Sequence, residues 1–299
     1  MSDPFRCAAS SLGHREELVG TASTVRAFLL IEAPGPWGVD ALQDCRLPSD
    51  VKEGLARSTQ RTGVRPLLIR RHGRSDPDGL RVFTAYADPV LPWVETTRLE
   101  DAWDLRDIDL DALGAGRSPG LEPHGSALFL VCTHGRHDVC CAELGRPVAA
   151  ALAGAHPAET WEVSHIGGDR FAGNVLVLPH GLYYGRVDAE SALGLAEAHL
   201  DSRLDLDHLR GRSGYGFAAQ AAEIFLRREL DCVGIDALSL RAHRREGAET
   251  ESVFSHGTQR WTVRVRSTVG QPTQLTCRAT RENPATAHTL ETCILHSDA

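Results

Sequence analysis

Lysine is almost absent from this 299-residue chain: Lys52 is the only one, and arginine supplies every other basic side chain. That bias fits a GC-rich coding sequence and carries no functional information. Long apolar runs are missing as well. No stretch nears the roughly 18 residues that a membrane-crossing helix needs, so no membrane span is expected. No basic stripe interleaved with aromatics offsets the formal charge of −8, which argues against a nucleic-acid groove and makes a basic or metal-bearing partner electrostatically easier. The glycine spacing matches neither a P-loop nor a dinucleotide fingerprint. The segment Glu32-Ala-Pro-Gly-Pro-Trp-Gly38 reads as a rigid turn, because Pro34 and Pro36 remove the N–H groups that a phosphate cradle uses. No carboxylate pair stands out for glycoside hydrolysis, and no catalytic residue is singled out. Residues Met1 to Arg6 lack the basic-then-apolar pattern of a secretory signal, so a cytoplasmic, reducing setting is expected.

What the chain does have is a concentration of soft ligands. Of its eight cysteines, three fall within ten residues, Cys132-Thr-His-Gly-Arg-His-Asp-Val-Cys140-Cys141, together with His134 and His137. Such a density is unlike the spread framework of a small secreted disulfide protein and suits metal or thiol chemistry. Downstream comes Ser164-His-Ile-Gly-Gly-Asp-Arg-Phe-Ala-Gly-Asn174, a glycine-rich turn carrying His165 and Asp169. Each loop follows a strand-like run, Ala127 to Val131 and Thr160 to Ser164, so the two can converge at the carboxyl ends of parallel strands.

The chain reads as α/β, or α+β overall, in three parts. Residues 1–122 alternate strand-like runs (Arg26 to Glu32, Arg65 to Arg71, Arg81 to Ala87, Trp93 to Leu99) with a helix near Asp50 to Arg61, giving an N-terminal α/β domain. Residues 123–209 read strand, ligand loop, helix (Ala142 to Ala153), strand, loop, strand (Asn174 to Pro179), strand (Leu182 to Val187), helix (Asp188 to Leu204). That βαβ–ββα order is that of a thioredoxin-like fold. Asp188 is a good N-cap, and Pro179-His180-Gly181 is a hairpin signal, which places His180 and Tyr184 in a hairpin. Residues 210–299 begin with a linker-like stretch, Arg210 to Gly216, then a helix from Phe217 to Asp231. They end in an antiparallel extension, with Trp261, Val263 and Val265 alternating and a second strand from Gln271 to Thr280.

Thiolates select zinc, copper(I) and iron–sulfur clusters, and imidazole suits zinc and iron, so the mixed set points to zinc or a [2Fe–2S] cluster. Zinc knuckles hold their first two cysteines two to four residues apart, whereas Cys132 and Cys141 have eight residues between them, a width that fits a larger group. A helix N-terminus right after Cys141 would stabilise its negative charge.

The segments CTHGRHDVCCAELGRPVAAAL and WEVSHIGGDRFAGNVLVLPHGLYYGRV resemble the sucrase/ferredoxin-like family, in its thioredoxin-like [2Fe–2S] ferredoxin branch, over about residues 125–205. The resemblance implies a cluster held by a cysteine pair eight residues apart and a His-x-x-x-His pair. Here that set becomes Cys132, Cys141, His165 and Asp169, an aspartate standing where the family has its second histidine. A carboxylate is harder and more anionic than imidazole and should lower the reduction potential. Cys140, His134 and His137 are alternates for the set, which would leave Asp169 to pair with Arg170 or to orient His165. Asn174 and Arg170 are candidates to donate to cluster sulfides. Cys7, Cys45, Cys232, Cys277 and Cys293 lie far apart and read as core-packing thiols outside the site.

The leading expectation is an electron carrier, rather than a stand-alone enzyme, that meets a redox partner protein, either a reductase or an electron acceptor. One alternative is a thiol oxidoreductase using Cys132 or the vicinal Cys140-Cys141 pair, weakened because no Cys-x-x-Cys is present there. The other is a zinc-stabilised binding module. Sucrose hydrolysis, which the family's name invokes, is not supported.

Overall fold

The computed structural model describes residues 4–73 and 79–296; Met1 to Asp3 of the N-terminal stretch lie outside the described residues. Helix α1 (Cys7–Gly13) leads to β1 (Ala27–Glu32), helices α2 (Ala41–Asp44) and α3 (Ser49–Thr62), β2 (Arg65–Arg70), β3 (Leu80–Tyr86), β4 (Trp93–Leu99), α4 (Leu110–Gly114) and β5 (Glu122–Pro123). The middle of the chain supplies β6 (Leu128–Cys132), α5 (Val139–Ala155), β7 (Thr160–Val163), β8 (Val175–Leu178), β9 (Leu182–Tyr184), α6 (Ala189–Leu200) and β10 (Leu209–Arg212). After α7 (Phe217–Glu229) come β11 (Ser239–Glu246), β12 (Glu249–His256), β13 (Gln259–Thr273) and β14 (Asn283–His296).

The first ten strands form one sheet in the order β10-β9-β8-β6-β7-β2-β1-β3-β4-β5. Its two halves repeat one pattern. In the first, β1 and β2 run parallel, and β3 and β4 continue antiparallel on the other side of β1; in the second, β6, β7, β8 and β9 do the same. The halves meet where β2 and β7 pair antiparallel through Ile69 with Val163 and Arg70 with Glu162. The regions expected on either side of residue 122 thus share one continuous sheet. Strands β1, β6, β7 and β8 are buried throughout, which is why β6 and β8, and β1 up to Glu32, read as apolar runs rather than as alternation.

Helix α5 starts where Asp138 caps it, its carboxylate accepting the Cys140 N–H at 2.9 Å. The helix lies so close on β6 that a Cβ at Gly145 would collide with the Cys132 carbonyl oxygen. Asp188 caps α6 as expected, accepting from Glu190 and Ser191 N–H.

The stretch from Arg210 is not a linker. It belongs to β10, a buried strand pairing with β9. Its arginines misled the sequence reading because each is buried against partners from distant segments: Arg212 and Arg227 flank the buried Glu223, and both donate to the Ile235 carbonyl. The C-terminal region, expected as an antiparallel hairpin or meander, is a four-stranded antiparallel meander, β11-β12-β13-β14. Phe254, Val263 and Val265 of that meander pack into the same core as Ala221, Ile224 and Leu226 of α7. The strand expected from Gln271 to Thr280 ends early: β13 stops at Thr273, and Cys277 lies in the β13–β14 connection instead of the sheet, whereas Cys293 does lie in β14.

Candidate metal centre

Strand β6 delivers Cys132 at its carboxyl end, and the turn that follows is fastened from below. Thr133 Oγ1 donates to Glu162 Oε2 at 2.7 Å, and Glu162 also takes Arg70 Nη2 at 2.6 Å and meets His72 Nδ1 at 2.7 Å. Burial alone would raise the Glu162 pKa, but Thr133 and Arg70 outweigh it and hold the carboxylate below its ordinary value.

His134 is a strut. Its Nδ1 accepts the His165 backbone N–H at 3.3 Å and its Nε2 donates to the Gly38 carbonyl at 2.7 Å, so both ring nitrogens are committed. Trp37 packs edge-on against the same ring. The rigid turn read from Glu32 to Gly38 therefore buttresses the ligand loop, and it occupies in the first half of the sheet the place that the ligand loop occupies in the second.

The second loop is held by a residue that sequence reasoning assigned to a linker. Arg210, 1% exposed, donates Nη1 to Gly167 O at 2.9 Å and Asn174 Oδ1 at 2.8 Å, and Nη2 to Thr21 O at 2.6 Å. Asn174 in turn donates to Gly168 O at 2.8 Å. Gly167 and Gly168 adopt φ of 98° and 81°, and a Cβ at Gly168 would collide with the Arg210 guanidinium, so glycine is required there both by conformation and by space. Burial lowers the Arg210 pKa to about 10. The only local signal of this role was two arginines flanking a glycine after a predicted helix.

These supports bring four predicted residues together. Cys132 and Cys141 are both buried, and each sways the other's ionisation more than burial does. Cys141 Sγ lies 3.2 Å from Asp169 Oδ1, and Asp169 Oδ1 lies 2.8 Å from His165 Nδ1. His137, one of the alternates, joins them: its ring centroid is 3.8 Å from that of His165, and its Nε2 is 3.6 Å from Asp169 Oδ2. The other alternates lie elsewhere. His134 is the strut, and Cys140 Sγ points to Cys277, 3.4 Å away. Arg170 pairs with Glu16 rather than with Asp169.

The ionisation of these groups is interlocked. Hydrogen bonding with Cys141 pulls the Cys132 pKa below its ordinary value, while the same contact, with burial, pushes Cys141 well above. Burial alone would raise the pKa of Asp169 and lower that of His165, yet their mutual contact reverses both shifts. Burial lowers His137, aided by repulsion from His165. Asp169 Oδ2 is buried without a hydrogen bond, His137 Nε2 lying 3.6 Å away, while His165 Nδ1 meets Asp169 Oδ1 at 2.8 Å. Two sulfurs, one or two imidazoles and a carboxylate can together bind a borderline-soft metal or an iron–sulfur cluster.

The curated protein "Altered inheritance of mitochondria protein 32" from the yeast Debaryomyces hansenii is 28% identical over 124 residues, which is 38% of this chain and 41% of that protein. The chain thus spans about two fifths of that relative's length. No solved structure matches. The sucrase/ferredoxin-like family matches residues 18–211, more than half of the chain and nearly the whole ten-stranded sheet, so the chain belongs to the sucrase/ferredoxin-like family.

Proposed function

We propose that the chain is an electron-transfer protein of the thioredoxin-like ferredoxin kind, whose two central loops hold a [2Fe–2S] cluster through Cys132, Cys141, His165 and Asp169. The observation that carries this reading is the convergence on Asp169 Oδ1 of the Cys141 thiol at 3.2 Å and the His165 imidazole at 2.8 Å, with Cys132 buried beside them. The donor chemistry fits: sulfurs on one side, harder donors on the other, as in mixed Cys/His centres. When bound, such a cluster supplies one-electron redox chemistry.

The protein's own part is to hold and shield. Arg210 and Asn174 fix the His165–Asp169 loop, His134 fixes the spacing between the two loops, and the N-terminus of α5 faces the thiolates with its dipole. His165 and His137 are the site's exposed side, with 30% and 35% of their side-chain surface open, and a redox partner would meet the protein there. The closeness of His137 favours one variant of this reading, in which His137 and His165 are the imidazole pair and Asp169 orients both.

Among the described residues no helix is long and apolar enough to cross a membrane. A cytoplasmic, reducing setting remains part of the proposal and rests on the sequence.

The test is the visible spectrum with iron and sulfide analysis of protein purified without oxygen. About two irons and two sulfides per chain with charge-transfer bands above about 400 nm support the reading. A colourless, iron-free protein would end it, leaving thiol exchange at Cys132 and Cys141 or a zinc centre as the alternatives.

A further inference from the structure

Cys7, Asp138, Cys140 and Cys277 come together from three separate segments into a second cluster whose ligand atoms all lie within 4.8 Å of one another. Cys140 Sγ is 3.4 Å from Cys277 Sγ, Cys277 Sγ is 3.5 Å from Cys7 Sγ, and Cys7 Sγ is 3.5 Å from both oxygens of Asp138. In a tetrahedral zinc site, with Zn–S of about 2.3 Å and Zn–O of about 2.0 Å, neighbouring sulfurs sit about 3.8 Å apart and a sulfur and an oxygen about 3.5 Å apart. The observed separations are near those values before any rearrangement.

The surroundings are those of an anion-rich metal site. Asp138 is completely buried, and among the described residues no basic side chain forms an ion pair with it. Its oxygens accept the N–H groups of Cys140 at 2.9 Å and Cys277 at 2.6 Å, which leaves lone pairs for a metal. The Cys7 N–H points at Cys277 Sγ at 3.3 Å, as backbone donors do to coordinated thiolates. The cluster also sits at the N-terminus of the 17-residue α5, whose dipole offsets negative charge.

We propose that Cys7, Cys140 and Cys277, with Asp138 as the fourth ligand, form a structural site for zinc or a similar soft divalent cation, separate from the central cluster. Binding releases the three thiol protons to water and joins the N-terminal helix, the start of α5 and the β13–β14 connection. The site does not depend on the [2Fe–2S] reading, since none of its ligands belongs to Cys132, Cys141, His165 or Asp169.

The test is zinc and iron analysis of anaerobically purified protein, comparing wild type with Cys7→Ser, Cys277→Ser, Cys132→Ser and the control Cys293→Ser. The expected result is about one zinc per chain in wild type, Cys132→Ser and Cys293→Ser, and at least a tenfold loss in Cys7→Ser and Cys277→Ser with iron unchanged. Because the serine variants can fail to fold, wild type is also alkylated with iodoacetamide before and after chelation and mapped by mass spectrometry. Protection of Cys7, Cys140 and Cys277 that chelation removes supports the site. Zinc absent from wild type, zinc that survives Cys277→Ser but not Cys132→Ser, or a disulfide linking Cys277 to Cys7 or Cys140 would each overturn it. Iron missing from every protein, with zinc present as expected, would defeat the electron-transfer reading and leave this one standing.

Discussion

Cys140 and Cys141, neighbours in the chain, face different clusters: Cys140 Sγ lies 3.4 Å from Cys277 Sγ, and Cys141 Sγ lies 3.2 Å from Asp169 Oδ1. Successive residues on a helix point about 100° apart, so one turn of α5 serves two sites. Cys141→Ser should therefore abolish the visible chromophore, and Cys140→Ser should leave most of it. Absorbance per iron in the two purified variants checks this, and a chromophore lost in Cys140→Ser but kept in Cys141→Ser would reverse the assignment.

Asp169 meets Cys141, His165 and His137 at once, and its charge is what distinguishes this donor set from a two-imidazole one. Replacing an anionic donor by a neutral one favours the reduced, more negative state. Asp169→His should raise the reduction potential by on the order of 100 mV, measured by spectroelectrochemical titration. An unchanged potential with an unchanged spectrum would place Asp169 away from the iron and favour His137 as ligand.

How much of this was legible in the sequence depends on where the information sits. The approach of Cys141 and His165 to Asp169 was foreseeable because both loops follow local strand signals, and a strand end fixes where a loop begins. Strand β10 could not, because Leu209-Arg-Gly-Arg212 is polar in composition and becomes a buried strand only once Thr21, Gly167, Asn174 and Glu223 arrive from elsewhere. The gathering of Cys7 and Cys277, 270 residues apart, leaves no local trace at all. The charged strand β11, Ser-Leu-Arg-Ala-His-Arg-Arg-Glu, hid for the opposite reason: it is largely exposed, so no alternation marks it. The joining of the sheet halves rests on two residue pairs between β2 and β7, too short a contact for any periodicity to announce.

Arg210 spreads its donors over Gly167 O, Asn174 Oδ1, Thr21 O and Thr21 Oγ1. A lysine has one nitrogen and cannot reach the same acceptors in plane. Arg210→Lys should cost about 2 kcal/mol or more, since buried acceptors lose their partners, and should lower iron retention because the His165–Asp169 loop loosens. Urea denaturation paired with iron analysis reads both effects. Unchanged midpoint and unchanged iron would show that Asn174 alone suffices.

His199 on α6 is buried, its ring 5.9 Å from Phe129 and 5.2 Å from His180, and its Nδ1 has no hydrogen-bond partner. Burial, then repulsion from His180 and Arg212, lowers its pKa to about 4 from an ordinary 6.5. In the unfolded chain the ring takes up a proton as pH falls through 6.5, while in the folded chain it stays neutral until about 4. The unfolded state thus binds more protons across that interval, so the contribution is fully present above pH 6.5 and is lost progressively down to about 4. Its upper bound is on the order of 3 kcal/mol. His124 and His180 are lowered as well, chiefly by burial, and add to the same acid sensitivity, whereas His208, raised by Asp205, opposes it. Replacing His199 by leucine isolates its share: the difference in unfolding free energy between wild type and His199→Leu should shift by about 2 kcal/mol in favour of the variant between pH 7 and pH 4.5. A difference that stays constant across that range would mean that the folded ring takes up its proton over the same pH range as the unfolded one.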